Sequence, residues 1–334
     1  MKWRKSNESR SLSESHLPDN TQEIHVSREN LITENEMQTA EGQKKKQLDK
    51  ILAAAPWSGE LDQDSYQQLP ALRQSFIKGC LKSPLHAALR KQTPSLQLGS
   101  LLDRLVKEPS SFWMKHAREP EGDGRSKEVK DARKKFREEC EKDDLIAVSA
   151  DMYDKLKGMW GSIMNDPIAM RILEQSQADL TLVWDSGDTE LPEEYRMNKA
   201  ALDFAYMEGD VRMSVCDLKS CQDASPSGFM RSVFDWGYDI QAAHYMEGVE
   251  ACGWQAGLWT WIAVESNEPY PCKVHYATDL TLEVGKKRIQ KAMENLKSFM
   301  SDKRKRAYGP KINPIDPPGW ILHQVKEYEP INSI

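Results

Sequence analysis

Residues 211–220 read VRMSVCDLKS, an apolar run with an aspartate and a lysine set two positions apart inside it. Strand residues two apart share a face, so Asp217 and Lys219 project together while Val215, Cys216 and Leu218 supply the surrounding hydrocarbon. A charged pair inside a buried strand needs a partner, a cavity or a task. Just upstream, Glu208-Gly209-Asp210 is a hairpin-turn signal that sets NKAALDFAYM antiparallel to this strand. The pairing brings Asp203 within several ångströms of Asp217. Glu128-Val129-Lys130 has the same spacing but falls in a charge-rich helical stretch, where residues two apart do not share a face.

Two carboxylates on neighbouring strands suit a hard divalent cation, and magnesium takes one or two carboxylates and fills its remaining positions with water or phosphate oxygens. Lys219 beside such an ion is placed to orient or help deprotonate an attacking water and to neutralise charge developing on phosphorus. Asp203, Asp217 and Lys219 are therefore a sufficient kit for phosphodiester hydrolysis, a structural ion pair at a sheet edge being the plain alternative. The helix after the strand, YDIQAAHY, adds Gln241 and Tyr245 four residues apart on one face, with Tyr238 a turn earlier. They offer an amide and two phenols to hold a nucleic-acid backbone or a water.

The remaining chain supplies a frame for this centre. Residues 1–43, rich in Ser, Glu, Asn and Thr, are expected to form a disordered extension. Residues 44–308 should form the folded domain, and 309–334 an irregular proline-rich tail. QQLPALRQSFIKGCLKSPLHAALRK has a helical apolar period, and SLQLGSLLDRLVKEP should turn Leu98, Leu101, Leu102 and Leu105 inward, with Asp103 among them. A charge-dense helix is expected over 115–144 and a packed one begins after an N-cap at Ser149. ADLTLVW, AALDFAYM and VRMSVCDLK read as strands. One long helix follows between Pro226 and Gly253, then the strands AGLWTWIAVES and CKVHYATDL and a basic closing helix. The sum is an α/β or α+β domain: a mixed sheet flanked by helices, with a helical N-terminal part.

Composition narrows the function. A net charge of -6 leaves no overall basic footprint, so nucleic-acid contact must come from local patches. The 6 cysteines are scattered without a C-x2-C pair, which favours reduced thiols; Cys216 and Cys221 flank the site, but Cys216 faces away from Asp217. His86, His244 and His275 are isolated and fit core or surface roles. The alternating tryptophans of GLWTWIAV are read as packing residues, with base stacking as the alternative for an exposed one. No window is apolar enough for a membrane span and the N-terminus lacks the apolar core of a leader, so a cytoplasmic location is expected.

Residues from about 70 to 300 resemble the RecE-like exodeoxyribonuclease VIII family of the PD-(D/E)XK nuclease superfamily, found in prophage recombination systems. The resemblance rests on FIKGCLKSPLHA, on LGSLLDRLVKEP for the family's GTxxHxxLLEP, on NKAALDF for K-x-R-x-D, on CDLKS for D-x-K-T and on YDIQAAHY for Y-x-x-Q-x-x-x-Y. It implies Asp203 and Asp217 as metal ligands, Lys219 as catalytic lysine, and Gln241 with Tyr245 as the helix motif supporting the site. Asp103 stands where the family has histidine and becomes either a third metal ligand or a helix-surface carboxylate. Asp179 stands for a glutamate, Ser220 for threonine and Ala201 for arginine. The implied activity is Mg²⁺-dependent degradation of linear double-stranded DNA from its 5' ends, with Mn²⁺ as a substitute metal. The products are 3' single strands for a RecT-like annealing partner. Relatives form rings, and Lys286, Lys287, Arg288, Lys291 and Lys297 of the closing helix are candidates for a ring lining. The alternatives are a structure- or site-specific endonuclease using the same site, and a decayed DNA-binding module.

Overall fold

The computed structural model describes residues 34–89 and 94–308, together with 312, 314–319 and 321. Helices α1 (Glu34–Ala53), α2 (Gln63–Gln68), α3 (Gln74–Cys80) and α4 (Pro84–Ala88) alternate with the short strands β1 (Trp57–Glu60) and β2 (Leu72–Arg73). Next come α5 (Pro94–Lys107), α6 (Pro109–Lys115), β3 (His116–Arg118), α7 (Lys127–Lys142), β4 (Ile146–Val148), α8 (Ala150–Met164) and α9 (Pro167–Gln175). The main strands are β5 (Gln177–Asp185), β6 (Met197–Glu208) and β7 (Arg212–Cys221). A crossover through α10 (Pro226–Asp235) and α11 (Tyr238–Ala251) leads to β8 (Gln255–Glu265), β9 (Cys272–Tyr276) and α12 (Asp279–Ser301). Residues 1–46 group as one unit and Gln47–Ile334 as a second, which holds the sheet and every site residue.

The sheet runs β1-β5-β6-β7-β8-β9, with β2 beside β6. Neighbours are antiparallel except β7 with β8 and β2 with β6. The parallel step follows from the crossover, because two helices between β7 and β8 return the chain to the end where β7 began. The expected hairpin forms: Glu208 pairs with Arg212, and Gly209 adopts the left-handed conformation that a tight turn uses, with φ 73°.

Helices cover both faces, and β7 shows why. Val215 points to one side, among Leu182, Trp184, Trp259 and Trp261, where Phe229 of α10 and Met246 and Val249 of α11 close the layer. Cys216 and Leu218 point to the other, where Leu98, Leu102 and Leu105 of α5 meet Leu156, Met159 and Ile163 of α8. Each fully buried leucine here contributes roughly 1.5–3 kcal/mol. The inward face expected of α5 is borne out at these three leucines, and Leu101 packs at its margin. Helix α12 packs against α3 and α11 through Ala292 and Leu296, which meet Ile77 and Cys80 of α3 and Ile240 of α11. The approach of α12 to α11 is close: a Cβ at Gly285 would lie 2.2 Å from the Asp239 carbonyl oxygen.

Several local expectations need correction. The single helix read between Pro226 and Gly253 is two, because Gly237 takes φ 67° and turns the chain before Tyr238. Leu72 lies in β2, so the helical stretch read around it is three short helices and a strand. The charge-dense helix occupies only 127–142, after its N-cap at Ser126. Helix already begins at Glu34, inside the extension expected to be disordered, while residues 1–33 and most of 309–334 lie outside the described residues. Ser149 caps α8 as expected, accepting from Met152 N. None of the described helices is long and apolar enough to cross a membrane.

Candidate active site

The site forms where β6 and β7 fork. Their ladder runs from Glu208 with Arg212 to Phe204 with Cys216 and stops there. One residue further on, Asp203 replaces the ladder with its side chain: Oδ2 accepts a hydrogen bond of 3.3 Å from the Leu218 amide. A carboxylate thus takes the place of a backbone carbonyl between the strands.

The same level is irregular on β5. Ala178 pairs with Phe204 and Leu180 with Leu202, yet Ala178 and Phe204 pack on the α5 side while Leu180 and Leu202 pack on the α11 side. Residues two apart should share a face, so both strands reverse their alternation at Asp179 and Asp203. The cause is visible at Asp179, whose φ of 58° is left-handed, a conformation aspartate tolerates better than most residues.

Asp217 and Lys219 share one face, as expected, and form an ion pair. Gln241 of α11 donates a 2.6 Å hydrogen bond from Nε2 to Asp217 Oδ1. The Lys219 ammonium also lies 5.0 Å from the centre of the Tyr238 ring. Tyr245 is buried one turn beyond Gln241 and packs edge-on against Trp259. Burial pushes the Asp217 carboxyl above the ordinary carboxylate range, Lys219 pulls it back and the charge of Asp203 pushes it up again. Against its own burial, Lys219 is held above its ordinary value by Asp217 and Asp203 and stays cationic.

The second cluster comes from α5. Lys107 Nζ lies 2.8 Å from Asp103 Oδ2, 2.6 Å from Asp179 Oδ1 and 4.0 Å from Asp203 Oδ1. Burial pushes the Asp103 carboxyl up to about 6, Asp203 adds to this, and Lys107 opposes it. Asp103 Oδ1 is buried without a hydrogen-bond partner among the described residues. Asp203 therefore belongs to both clusters, with Lys107 on one side and Asp217 on the other.

The oxygen donors suit a hard cation, and a carboxylate oxygen left without a donor is the mark of such a place. Among the described residues no three His, Cys, Asp or Glu side chains are gathered closely enough to hold an ion between them. A cation at the fork would draw on two carboxylates, Asp203 and Asp217, and on water. Asp103, read as either a third ligand or a helix-surface carboxylate, has one oxygen committed to Lys107.

Lys107 was not singled out in the sequence, although its i, i+4 spacing to Asp103 on an otherwise apolar helix face was there to be read. Lys199, the lysine of NKAALDF, was given no role. It is buried, donates to the Tyr66 and Leu69 carbonyls at 2.6 and 2.7 Å, and so clamps α2 to β6 four residues from Asp203. The basic stripe expected on α12 is largely neutralised: Lys287 pairs with Glu283, Arg288 with Asp239, Lys291 with Glu294 and Lys297 with Asp188 and Glu190. The cysteines are free thiols, and Trp259 and Trp261 are buried packing residues.

A mostly antiparallel sheet between helix layers, forked around an Asp…Asp-x-Lys constellation, defines the PD-(D/E)XK nuclease-like fold. Residues 77–316 match the family described as a PDDEXK-like domain of unknown function (DUF3799), and the chain belongs to that family. A crystal structure of a proposed exonuclease from Eubacterium rectale is similar at 14% identity and a TM-score of 0.48, covering 77% of this chain and 97% of that one. No curated protein matches the sequence significantly.

Proposed function

We propose that the protein is a metal-dependent exodeoxyribonuclease that degrades linear double-stranded DNA. The observation that carries this reading is the meeting of Asp203, Asp217 and Lys219 at the β6/β7 fork, with Gln241 bonded to the central carboxylate. PDDEXK nucleases generally use divalent metals, and Asp203 and Asp217 are the residues that would hold one here. When bound, a divalent ion supplies Lewis-acid polarisation of the phosphate and a nucleophile at neutral pH. Mg²⁺ is the proposed ion, with Mn²⁺ as substitute.

The chain's own residues have separable tasks in this reading. Gln241 fixes the direction of the Asp217 carboxylate through Oδ1, leaving Oδ2 to the Lys219 ammonium. Lys219, kept protonated by its two carboxylate neighbours, neutralises charge developing on the phosphate oxygens instead of acting as a base. The Tyr238 ring faces the Lys219 ammonium and limits where it can move. Tyr245 supports Gln241 from the next turn of α11. The 5' to 3' polarity, a ring-shaped homo-oligomer and a single-strand annealing partner complete the proposal and rest on the resemblance to the RecE-like family.

Digestion of end-labelled linear duplex beside covalently closed plasmid, with Mg²⁺, with Mn²⁺ and with chelator, tests this reading. Metal-dependent loss of the linear form alone is the expected result. Nicking of the closed circle would reassign the site to an endonuclease, and no cleavage with either metal would leave a DNA-binding module.

A further inference from the structure

The turn between α10 and α11 is held from outside by two cations. Gly237 turns the chain there in a left-handed conformation, and no side chain caps the start of α11 from that position. The last carbonyls of a helix have no partner within it. Lys78 of α3 donates to the Trp236 carbonyl at 2.8 Å, and Arg288 Nη1 of α12 donates to the Phe234 carbonyl at 3.1 Å. The same Arg288 nitrogen donates at 2.7 Å to Oδ1 of Asp239, in the first turn of α11, so one guanidinium joins the two helices across the turn. The Asp239 side chain is 0% exposed and its Oδ2 has no hydrogen-bond partner among the described residues, which makes Arg288 the contact that a buried carboxylate requires. Gly285, three residues before Arg288 on the same face of α12, lacks the side chain that would keep the helices apart.

That first turn also carries part of the site. Tyr238, whose ring faces the Lys219 ammonium at 5.0 Å, precedes Asp239, and Gln241, bonded to Asp217 at 2.6 Å, follows it by two. We propose that Arg288 is a positioning residue for the cleavage reaction: by joining Asp239 to the Phe234 carbonyl it sets the first turn of α11, and through Tyr238 and Gln241 the placing of Lys219 and Asp217. The inference rests on the nuclease reading above and concerns what aligns that site. It gives Arg288, read from the sequence as a candidate for a ring lining, an inward task. A misplacement on the order of 1 Å is enough to cost about 100-fold in rate. The glycine turn permits such a shift once the guanidinium that spans it is removed.

The test is a double-mutant cycle of Arg288→Met with Gln241→Ala in the full-length chain, read as kcat and KM on end-labelled linear duplex. Arg288→Met alone should lower kcat about 10- to 100-fold and change KM by less than about threefold. In the Gln241→Ala background the same substitution should cost at least about fivefold less than it does in wild type, since a group it aligns is already gone. With an active wild type, losses that simply multiply, or an unchanged kcat, would overturn the proposal and leave the nuclease reading standing. A loss confined to KM would also overturn it, by making Arg288 a DNA contact. A wild type that cleaves no duplex removes the nuclease reading and this inference together. If Arg288→Met does not fold, the paired variant Arg288→Met with Asp239→Asn, which leaves no buried charge unmatched, replaces it throughout the cycle with the same expectations. Failure of the paired variant to fold would show that Arg288 holds the domain and not the site, and the proposal would fall.

Discussion

The two halves of the site are built from similar residues and solve opposite problems. On the α11 side, Asp217 meets one ammonium and one amide, and charge is matched close to one for one inside a dry layer. On the α5 side, three carboxylates face one ammonium and Asp179 is open to solvent, its side chain 65% exposed. The first half is pre-organised and has little room to respond. The second carries a charge deficit that water and cations can answer, and Asp203 joins the two. Chemistry that must not wander is placed where hydrogen bonds fix it, while charge that must be adjusted is placed at the mouth.

The largest effect expected from this asymmetry lies in cleavage by two Asp→Asn variants. Asp217→Asn should lower turnover on linear duplex about 10³-fold or more, the scale of removing a central electrostatic or acid-base group. Asp179→Asn should cost no more than about tenfold, since its exposed carboxylate is screened by water. Circular dichroism establishes that both variants fold, and steady-state cleavage compares them. Equal losses would dissolve the distinction between the halves.

The same contrast explains what the sequence disclosed. Asp217, Lys219, Gln241 and Tyr245 were legible because each relation among them is a simple period, two along a strand and four along a helix, and a hairpin turn located Asp203. Lys107 was hidden for the opposite reason: an Asp and a Lys four apart on a helix usually form a solvated pair. What makes this pair different is Asp179, and nothing in QADLTL announces a left-handed residue that flips a strand's alternation. The layers of the fold followed from apolar patterning. The break at Gly237 did not, because both halves of that stretch have helical composition and only the glycine's backbone angle divides them.

Gln241 sharpens the claim that the α11 side is fixed by hydrogen bonding. Gln241→Ala leaves Asp217 Oδ1 without its 2.6 Å donor inside the core. The expected costs are about 1–3 kcal/mol of stability and a fall in turnover of about 10- to 100-fold. Chemical denaturation and cleavage rates check the two separately. A variant of unchanged turnover would show that Asp217 holds its direction without help.

The dryness of that side can be probed without touching the site. His244 is buried between Trp184 and Tyr245, and burial lowers its pKa to about 4, the hydrogen bond to the Lys199 carbonyl opposing. Because the folded value lies below the unfolded one of about 6.5, the unfolded chain binds more protons between them. Stability from the neutral imidazole is therefore complete above about pH 6.5 and is lost as pH falls toward 4, by up to about 3 kcal/mol. Urea melts of wild type and His244→Gln across this window should show a shallower pH dependence in the variant. Parallel slopes would mean that water reaches the layer beneath the site.

The smallest effect concerns how tightly Lys219 is held. Its ammonium faces the Tyr238 ring at 5.0 Å, a contact of about 0.5–2 kcal/mol at a partly desolvated position. If the ring confines the ammonium, Tyr238→Phe should keep near-normal turnover, since the face of the ring is unchanged. Tyr238→Leu should lose about 2- to 30-fold, because the lysine then samples positions away from the fork. Under the proposed role, in which Lys219 meets charge that develops during reaction, the loss should fall on kcat more than on KM. Equal losses in the two variants would assign the effect to the phenol hydroxyl, and the α11 side would then contain a polar group that acts on substrate directly instead of a cation held in place by its surroundings.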